Sequence, residues 1–470
     1  MIDAVNGSWL QTISEQLNFG VVNGSWIQGW AESLGITQPV NGSWEEAIVE
    51  HIVGPTYLLN NGSSIQTLCQ LYGAFQPLNG SWIQALAQMI YDSYTNPHIS
   101  EWRTTTPNET VTLPYTLNIG FNSNSGIIDW GDGTTSENTY DNRTHTYTTP
   151  GYYIITVYGR IRGFRFNNGG DKDKIYRILS WGSGFNLGVG ASQFYGCTNL
   201  ELSEVSDVLQ VYNPGQALNG QTRSWTNMFR ACTSLTTINR VNEWDMSNVI
   251  NLNGCFLGAT NFNDDLNQWD TSNVTSMLQM FFNASTFDND ITDWNTSNVT
   301  NFGQMFQNAI NFNVPIGAWD VSKGTTFSSM FRNASSFDRD LSQWQTISAT
   351  DMTAMFYDAI SFSTEVNDWD MSNVTDIDNM FRNAAAFNQR LDNWSISNVT
   401  LATSFMLGKT FSNYSSSNYD SLLMGWASRP VKPNIFISFG TIKRTALSDA
   451  AKAILTSAPN NWTINDGGYV

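Results

Sequence analysis

A strict period of 25 residues governs the second half of the chain. Successive tryptophans lie 25 positions apart, and a phenylalanine series keeps the same spacing. A fixed period of this length is typical of stacked repeats, because one short repeat cannot bury its own apolar face without neighbours. We therefore expect these columns to form the structural repeat core: Trp244, Trp269, Trp294, Trp319, Trp344, Trp369, Trp394, Phe281, Phe306, Phe331, Phe356 and Phe381.

One repeat contains a corner at 269–273, a short strand at 274–277 and a tight turn that starts at Met280. The pattern predicts a β-solenoid of 25-residue coils over residues 172–411, with a parallel sheet along one face. The last coil would need a C-terminal cap, which we assign to residues 412–470. A further column predicts a ladder whose side-chain amides cap backbone groups of the adjacent coil: Asn283, Asn308, Asn333, Asp358 and Asn383.

The repeated phrases W-D-x-S-N-V-T, M-F-x-N-A and F-N/D-x-x-L/I resemble the bacterial surface-protein repeats of the BspA-like and mycoplasma-lipoprotein-associated type. These repeats are relatives of leucine-rich repeats. The resemblance implies a leucine-rich-repeat-like solenoid with an adhesive role at a surface.

The N-terminal segment, residues 1–92, repeats the phrase Asn-Gly-Ser-Trp with small variations. Each Ser is followed three positions later by Gln or Glu, which is the capping box of a helix start. We expect five short helices that anchor the chain on a partner, with Trp9, Trp26, Trp44 and Trp82 as the contacts. The alternative is a self-contained helical bundle in which these tryptophans fold inward.

A linker is expected at residues 93–106, followed by strand patterns over 107–166. Within the latter, Ile128-Asp-Trp-Gly-Asp-Gly-Thr134 and His145-Thr-Tyr-Thr-Thr-Pro-Gly-Tyr-Tyr153 resemble the polycystic-kidney-disease (PKD) family of immunoglobulin-like domains. The resemblance implies a small antiparallel β-sandwich that serves as a spacer. Asp129 and Asp132 supply too few oxygens for Ca²⁺, so a turn-stabilising role is favoured.

The formal charge is −18, from 22 basic and 40 acidic residues, which argues against nucleic acid and anionic membranes as partners. No apolar stretch reaches the length of a membrane-spanning helix, so no membrane insertion is expected. Three histidines and four cysteines show no metal-ligand spacing, so neither a metal nor another cofactor is predicted. Cys232 and Cys255, close to one repeat apart, are expected to be buried thiols.

No catalytic residue is predicted. Gly408-Lys409-Thr410 resembles the end of a phosphate-binding loop, but Thr403 stands where that loop needs its first glycine. The aspartates that follow several repeat tryptophans (Asp245, Asp270, Asp320, Asp370) are expected to cap corners rather than to bind a metal. The tryptophan ladder is assigned to the core rather than to a sugar-stacking platform.

These features favour a non-enzymatic virion protein of a bacteriophage: a fibre, decoration or tail-associated subunit. The start of the sequence lacks the basic region of a secretory signal, since its first Lys or Arg is Arg103. The solenoid would bind a host-surface glycan or protein, and residues 1–92 would bind other virion proteins. A bacterial cell-surface adhesin and a carbohydrate-active enzyme with repeat appendages are the alternatives, and homo-oligomerisation is left open.

Overall fold

The computed structural model describes residues 95–116, 124–187, 191–209 and 223–470. The helical repeats predicted for residues 1–92 lie outside these residues, as do Trp9, Trp26, Trp44 and Trp82. The described chain forms two compact units. The first comprises the described residues up to 166 with those of 174–189 and 204–222, and the second comprises 167–173, 190–203 and 223–470.

The described part of the first unit contains eight strands: β1 (His98–Thr104), β2 (Glu109–Thr112), β3 (Ser125–Asp129), β4 (Thr135–Glu137), β5 (Thr144–Tyr147), β6 (Gly151–Arg162), β7 (Ile175–Ser180) and β8 (Phe185–Asn186). A six-stranded sheet has the order β4-β3-β6-β1-β7, with β8 paired to β6 beside this path. A separate antiparallel pair joins β2 to β5. The centre of the large sheet is apolar because Trp102 on β1 and Val157 on β6 are fully buried.

The predicted β-sandwich confined to residues 107–166 is wrong. β1 lies inside the predicted linker, and β7 and β8 lie beyond residue 166. The charged Glu101 in the middle of β1 interrupts the apolar pattern by which a buried strand is recognised. The arginine that neutralises Glu101 is far away in the sequence. Arg177 on β7 donates from Nε to Glu101 Oε2 at 2.8 Å and from Nη2 to Oε1 at 3.1 Å.

The described part of the second unit contains short elements at its two ends: β9 (Arg223–Ser224), β10 (Val249–Asn251), α1 (Ser416–Ala427), β11 (Phe436–Ser438), α2 (Asp449–Thr456) and β12 (Thr463–Asn465). Two 3₁₀ helices cover Val241–Glu243 and Ala446–Ser448. β9 pairs with β10 and β11 with β12, both in parallel.

The predicted β-solenoid with a parallel sheet along one face is also wrong. Residues 252–415 contain turns and single-residue bridges, and neither a strand nor a helix. Successive repeats meet at one parallel bridge each, such as Asn301–Thr326 and Thr326–Asp351. The predicted fold class is therefore replaced by small sheets, in which most strand pairs are antiparallel, and a stack of turn-built repeats with two helices near the C-terminus.

Two residues with positive φ in each repeat prevent the predicted strand from extending. Gln279, three positions after the bridging Ser276, has φ of 58°, and Asn283 has φ of 59°. A residue in the left-handed region turns the chain out of the extended conformation, so each strand is cut to one bridge. The Asn column is explained by the same geometry, because Asn adopts positive φ more readily than most residues.

Backbone hydrogen bonds hold consecutive repeats together. The amides of Met277, Gln279, Phe281 and Asn283 each donate to the carbonyl 24 residues later, at 2.8–3.0 Å. The same four bonds recur between the next two repeats. Each repeat therefore completes its backbone hydrogen bonding through its neighbours.

The tryptophan and phenylalanine columns occupy the core, and none of these side chains is more than 3% exposed. Consecutive rings stack: Trp294 and Trp319 are 6.1 Å apart between centroids, and Phe281 and Phe306 are 5.7 Å apart. The indoles from Trp269 to Trp394 also donate to carbonyls of the preceding repeat, as Trp319 Nε1 donates to Ile291 O at 3.1 Å. The aromatic side chains of one repeat are therefore buried by the repeats on either side of it.

The segment predicted as a cap, residues 412–470, continues this bonding with different elements. Helix α1 begins after Ser415, whose side chain accepts from the Asn418 amide at 3.2 Å. Trp426 on α1 donates from Nε1 to Leu391 O at 3.0 Å. That carbonyl is the acceptor that the tryptophan of a further repeat would use.

We predict that Trp319→Ala costs about 3–5 kcal/mol of unfolding free energy, because a large side chain leaves a fully packed column. Trp319→Phe should cost less, since it keeps most of the ring and loses the bond to Ile291 O. Replacement of the exposed Gln345 by Ala is the control. Thermal and urea unfolding measure the three values, and an unchanged midpoint for Trp319→Ala would contradict this description of the core.

The stability of the first unit should depend on pH through His98. Its imidazole is buried, stacks on Phe185 at 4.6 Å between centroids, and contacts Trp181 O through Nδ1 at 3.2 Å. Burial lowers the pKa of His98 from 6.5 to about 4. A base whose pKa is lowered by folding contributes stability that is present above its unfolded pKa and lost as the pH falls through its folded pKa.

We therefore expect wild-type stability to fall by about 3 kcal/mol between pH 6.5 and pH 4 from this group. His98→Asn keeps a donor toward Trp181 O and cannot titrate, so its stability should fall less over this range. Urea unfolding at several pH values gives the difference. Parallel pH profiles for the two proteins would show that His98 does not carry this effect.

Candidate binding surface

A row of six exposed threonines follows the repeats: Thr275, Thr300, Thr325, Thr350, Thr375 and Thr400. Each hydroxyl donates to the backbone carbonyl 25 residues earlier, at 3.0–3.2 Å. The residue two positions before the threonine is exposed in five of the six repeats, and the residue between them is buried in all six. The threonine row therefore has a fixed rotamer and its donors are already used.

An asparagine row lies beside the threonines. Asn273, Asn298, Asn373 and Asn398 donate their side-chain amides to backbone carbonyls of the preceding repeat, at 2.7–2.8 Å. Lys323 takes the asparagine position in one repeat and donates to Asn298 Oδ1 at 2.7 Å. This face is rigid and polar, and most of its hydrogen-bond donors serve the stack itself.

The predicted amide ladder exists, but its contacts differ from the prediction. Asn308 Nδ2 donates to Asn283 Oδ1 at 2.7 Å, and Asn333 Nδ2 to Asn308 Oδ1 at 3.0 Å. Farther along, Asn383 Nδ2 donates to Asp358 Oδ1 at 2.9 Å. The amides therefore bond to one another rather than to backbone groups, because their backbone is turned to positive φ.

A group that the sequence analysis missed runs beside this ladder. Arg332, Tyr357 and Arg382 occupy the same position in three consecutive repeats, and all three side chains are half-buried. The guanidinium carbons of Arg332 and Arg382 lie 4.6 Å and 5.1 Å from the centroid of the Tyr357 ring. Both distances are within the range of cation–π attraction, so the ring orders two positive charges. We call this group the arginine comb.

Acidic residues gather at the bridge positions of the same repeats. Asp351 and Asp376 form successive bridges, and Asp378 donates its amide to Asp376 Oδ1 at 2.8 Å. Burial, and then repulsion by Asp351 and Asp378, raises the pKa of Asp376. Among the described residues there is no group of three or more His, Cys, Asp or Glu side chains that could hold a metal ion.

The aspartates that follow the repeat tryptophans cap corners. Asp270, Asp320 and Asp370 each accept the backbone amide two residues later, at 2.9–3.0 Å. Asp245 makes the same bond to the Ser247 amide at 3.0 Å. Hydrogen bonds from the Ser322 hydroxyl and amide lower the pKa of Asp320, consistent with a carboxylate that stays charged in its corner.

The two carboxylates at the Gly-Asp-Gly turn of the first unit make hydrogen bonds to groups in and next to the turn. Asp129 Oδ1 accepts from the Gly131 amide at 2.9 Å, and Asp132 contacts His145 Nε2 at 2.7 Å and accepts from Thr134 Oγ1 at 2.6 Å. Gly131 has φ of 75°, and a β-carbon there would lie 2.4 Å from Ile154 O, so no other residue fits. Both aspartates thus make turn-stabilising bonds.

Lys409 of the phosphate-loop-like phrase is buried at the end of the repeat stack. Its ammonium donates to the carbonyls of Ala384, Ala385 and Phe387, at 2.6–3.1 Å. Burial lowers the pKa of Lys409 to about 7. The side chain therefore caps backbone carbonyls and faces no phosphate site.

The cysteine positions are structural as well. Cys197, Cys232 and Cys255 are buried free thiols, and burial raises the pKa of each. A buried thiol with a raised pKa is a poor nucleophile. Cys69 lies outside the described residues.

None of the helices in the described residues has the length and apolar character needed to cross a membrane. No curated protein and no solved structure matches the chain significantly. A family model described as "Mycoplasma protein of unknown function, DUF285" matches residues 222–338 and 313–419. These two matches fall on the 25-residue repeats and cover less than half of the 470 residues. They support the surface-repeat family inferred from the repeated phrases, and the repeat segment of this chain is therefore similar to that family over residues 222–419.

Proposed function

We propose that this chain is a non-enzymatic adhesion protein whose repeat stack binds a glycan or protein on a host surface. One observation carries the proposal: the apolar columns of every repeat are buried, and the outward positions form polar rows in constant register. A rigid display of this kind suits recognition of an extended surface, since little conformational entropy is lost on binding.

The repeat similarity supports a surface location without defining an activity, because the matched family is described as being of unknown function. We place the protein on a bacteriophage particle, as a fibre, decoration or tail-associated subunit. A bacterial cell-surface adhesin is the second candidate, and the similarity to bacterial surface repeats favours it. Immunogold labelling of purified particles and of intact cells separates the two locations.

We predict saturable adsorption of the purified full-length protein to host cells, with competition by unlabelled protein. Flow cytometry with fluorescently labelled protein measures it, and heat-denatured protein at the same concentration serves as the control. Adsorption to a panel of candidate hosts that is neither saturable nor competed would contradict the adhesion proposal.

Anchoring is assigned to residues 1–92, with Trp9, Trp26, Trp44 and Trp82 as the contacts, because buried tryptophans carry a large share of interface energy. Without residues 1–92 the protein should still adsorb to cells but should no longer join the parent particle. Quantitative mass spectrometry of particles assembled with the truncated protein tests this. Incorporation at the wild-type level would show that the anchor lies elsewhere.

A further inference from the structure

The arginine comb places two guanidinium groups against one tyrosine ring in consecutive repeats. In the described part of the chain, Arg177, Arg240, Arg390 and Arg444 each pair with an Asp or Glu, whereas other arginines of the stack, such as Arg339, do not. Neither Arg332 nor Arg382 makes such an ion pair there. The chain carries 40 acidic residues against 22 basic ones, so a pair of unneutralised guanidinium groups is not explained by a shortage of carboxylates.

The comb is also ordered before any ligand arrives. The backbone carbonyls of the comb residues accept hydrogen bonds from the preceding repeat: Asn333 N donates to Tyr357 O at 2.7 Å, and Asp358 N donates to Arg382 O at 3.0 Å. The Tyr357 ring lies between the two guanidinium groups. Arg382 Nη1 donates to Asn379 Oδ1 at 3.2 Å, whereas its buried Nε has no hydrogen-bond partner.

A carboxylate fits this arrangement. A guanidinium group presents planar N–H donors in a fork that matches the two oxygens of a carboxylate, and charge-assisted bonds of this kind are about twice as strong as neutral ones. Because Arg382 Nη1 is bonded to Asn379 and its Nε is buried, Nη2 is the group of Arg382 that remains for a ligand, beside the guanidinium of Arg332. The comb therefore favours a negatively charged group that binds along its edge.

The amide ladder beside the comb further restricts the class of ligand that fits. Each comb residue is followed in the chain by a ladder residue: Asn333, Asp358 and Asn383. Asp358 accepts one bond from Asn383 and would repel a bare anion, but its carboxylate can also accept from hydroxyl groups. A ligand with one carboxylate and several hydroxyls satisfies both rows.

A protein partner is less well matched to this face. Protein-binding hot spots are enriched in Trp, Tyr and Arg and lie in well-packed pockets from which water is excluded, so a protein partner would need apolar side chains around the comb. In residues 252–401 the exposed large apolar side chains are Ile347, Ile360 and Leu401, and these occupy three different positions of the repeat. They do not align into a continuous apolar strip.

We propose that Arg332, Tyr357 and Arg382 bind the carboxylate of an acidic glycan, while the adjoining amide ladder contacts its hydroxyls. This assignment rests on the proposed adhesion function and names its ligand class and site. The full-length protein should bind trigalacturonate and sialyllactose at least tenfold more tightly than the neutral counterparts, methyl-esterified trigalacturonate and lactose.

The test compares wild-type protein with the double variant Arg332→Gln/Arg382→Gln by isothermal titration calorimetry. Loss of two charge-assisted contacts should weaken binding of the acidic oligosaccharides by roughly tenfold or more. Arg339→Gln is the matched control, because Arg339 is an exposed arginine of the same stack that donates to Asn313 O. Its affinity should equal that of the wild type, and all three proteins should melt at similar temperatures.

Several results would overturn the site: equal affinity for acidic and neutral sugars, an equal loss in Arg339→Gln, or triglutamate binding as tightly as the acidic sugars. The last result would assign the comb to acidic peptides. Cell adsorption separates this inference from the proposed function. If the double variant adsorbs to cells as the wild type does, the adhesion proposal stands and the comb is not its site.

Discussion

The indole nitrogens of six repeat tryptophans, from Trp269 to Trp394, each donate a hydrogen bond to a carbonyl of the repeat before them. Trp294 donates to Leu266 O at 2.8 Å and Trp369 to Leu341 O at 3.0 Å, each 28 residues back. The same side chains stack on the tryptophans of neighbouring repeats. An isolated repeat would therefore expose a large aromatic surface to water, and an indole buried without the preceding repeat would lack its acceptor; both costs are removed when repeats stack in register.

This register also fixes the surface. Because every core column is locked to a spacing of 25 residues, the outward positions between them fall into rows without any further constraint. The side chains of the threonine and asparagine rows donate hydrogen bonds to the preceding repeat and so stabilise the stack. The arginine comb differs because its guanidinium groups stack on Tyr357 and make no ion pair in the described chain. The proposed recognition site therefore consists of side chains that the stack holds in place and whose charges it does not neutralise.

The sequence reveals the buried columns because large apolar side chains must recur wherever repeats pack, as at Trp319 and Phe331. The sequence does not show that the repeats lack strands. The alternation of apolar and polar residues at Val274–Met277 predicts a strand, and nothing in it indicates that Gln279 has a positive φ. Strand β1 is hidden for a different reason: Glu101 breaks its pattern, and Arg177 neutralises it from a distant strand. The comb escapes a search for periodicity because its column changes from repeat to repeat: Phe282, Gln307, Arg332, Tyr357 and Arg382.

Deletion within the stack tests most directly the claim that column register holds the second unit together. Removal of one whole repeat, residues 294–318, joins Asp293 to Trp319 and preserves every column. Removal of residues 294–305 deletes half a repeat and shifts the columns out of alignment. Near-ultraviolet circular dichroism with thermal melting should show native aromatic signals and a cooperative transition for the first variant, and loss of both for the second. Native signals in the half-repeat deletion, or their loss in the whole-repeat deletion, would contradict the account.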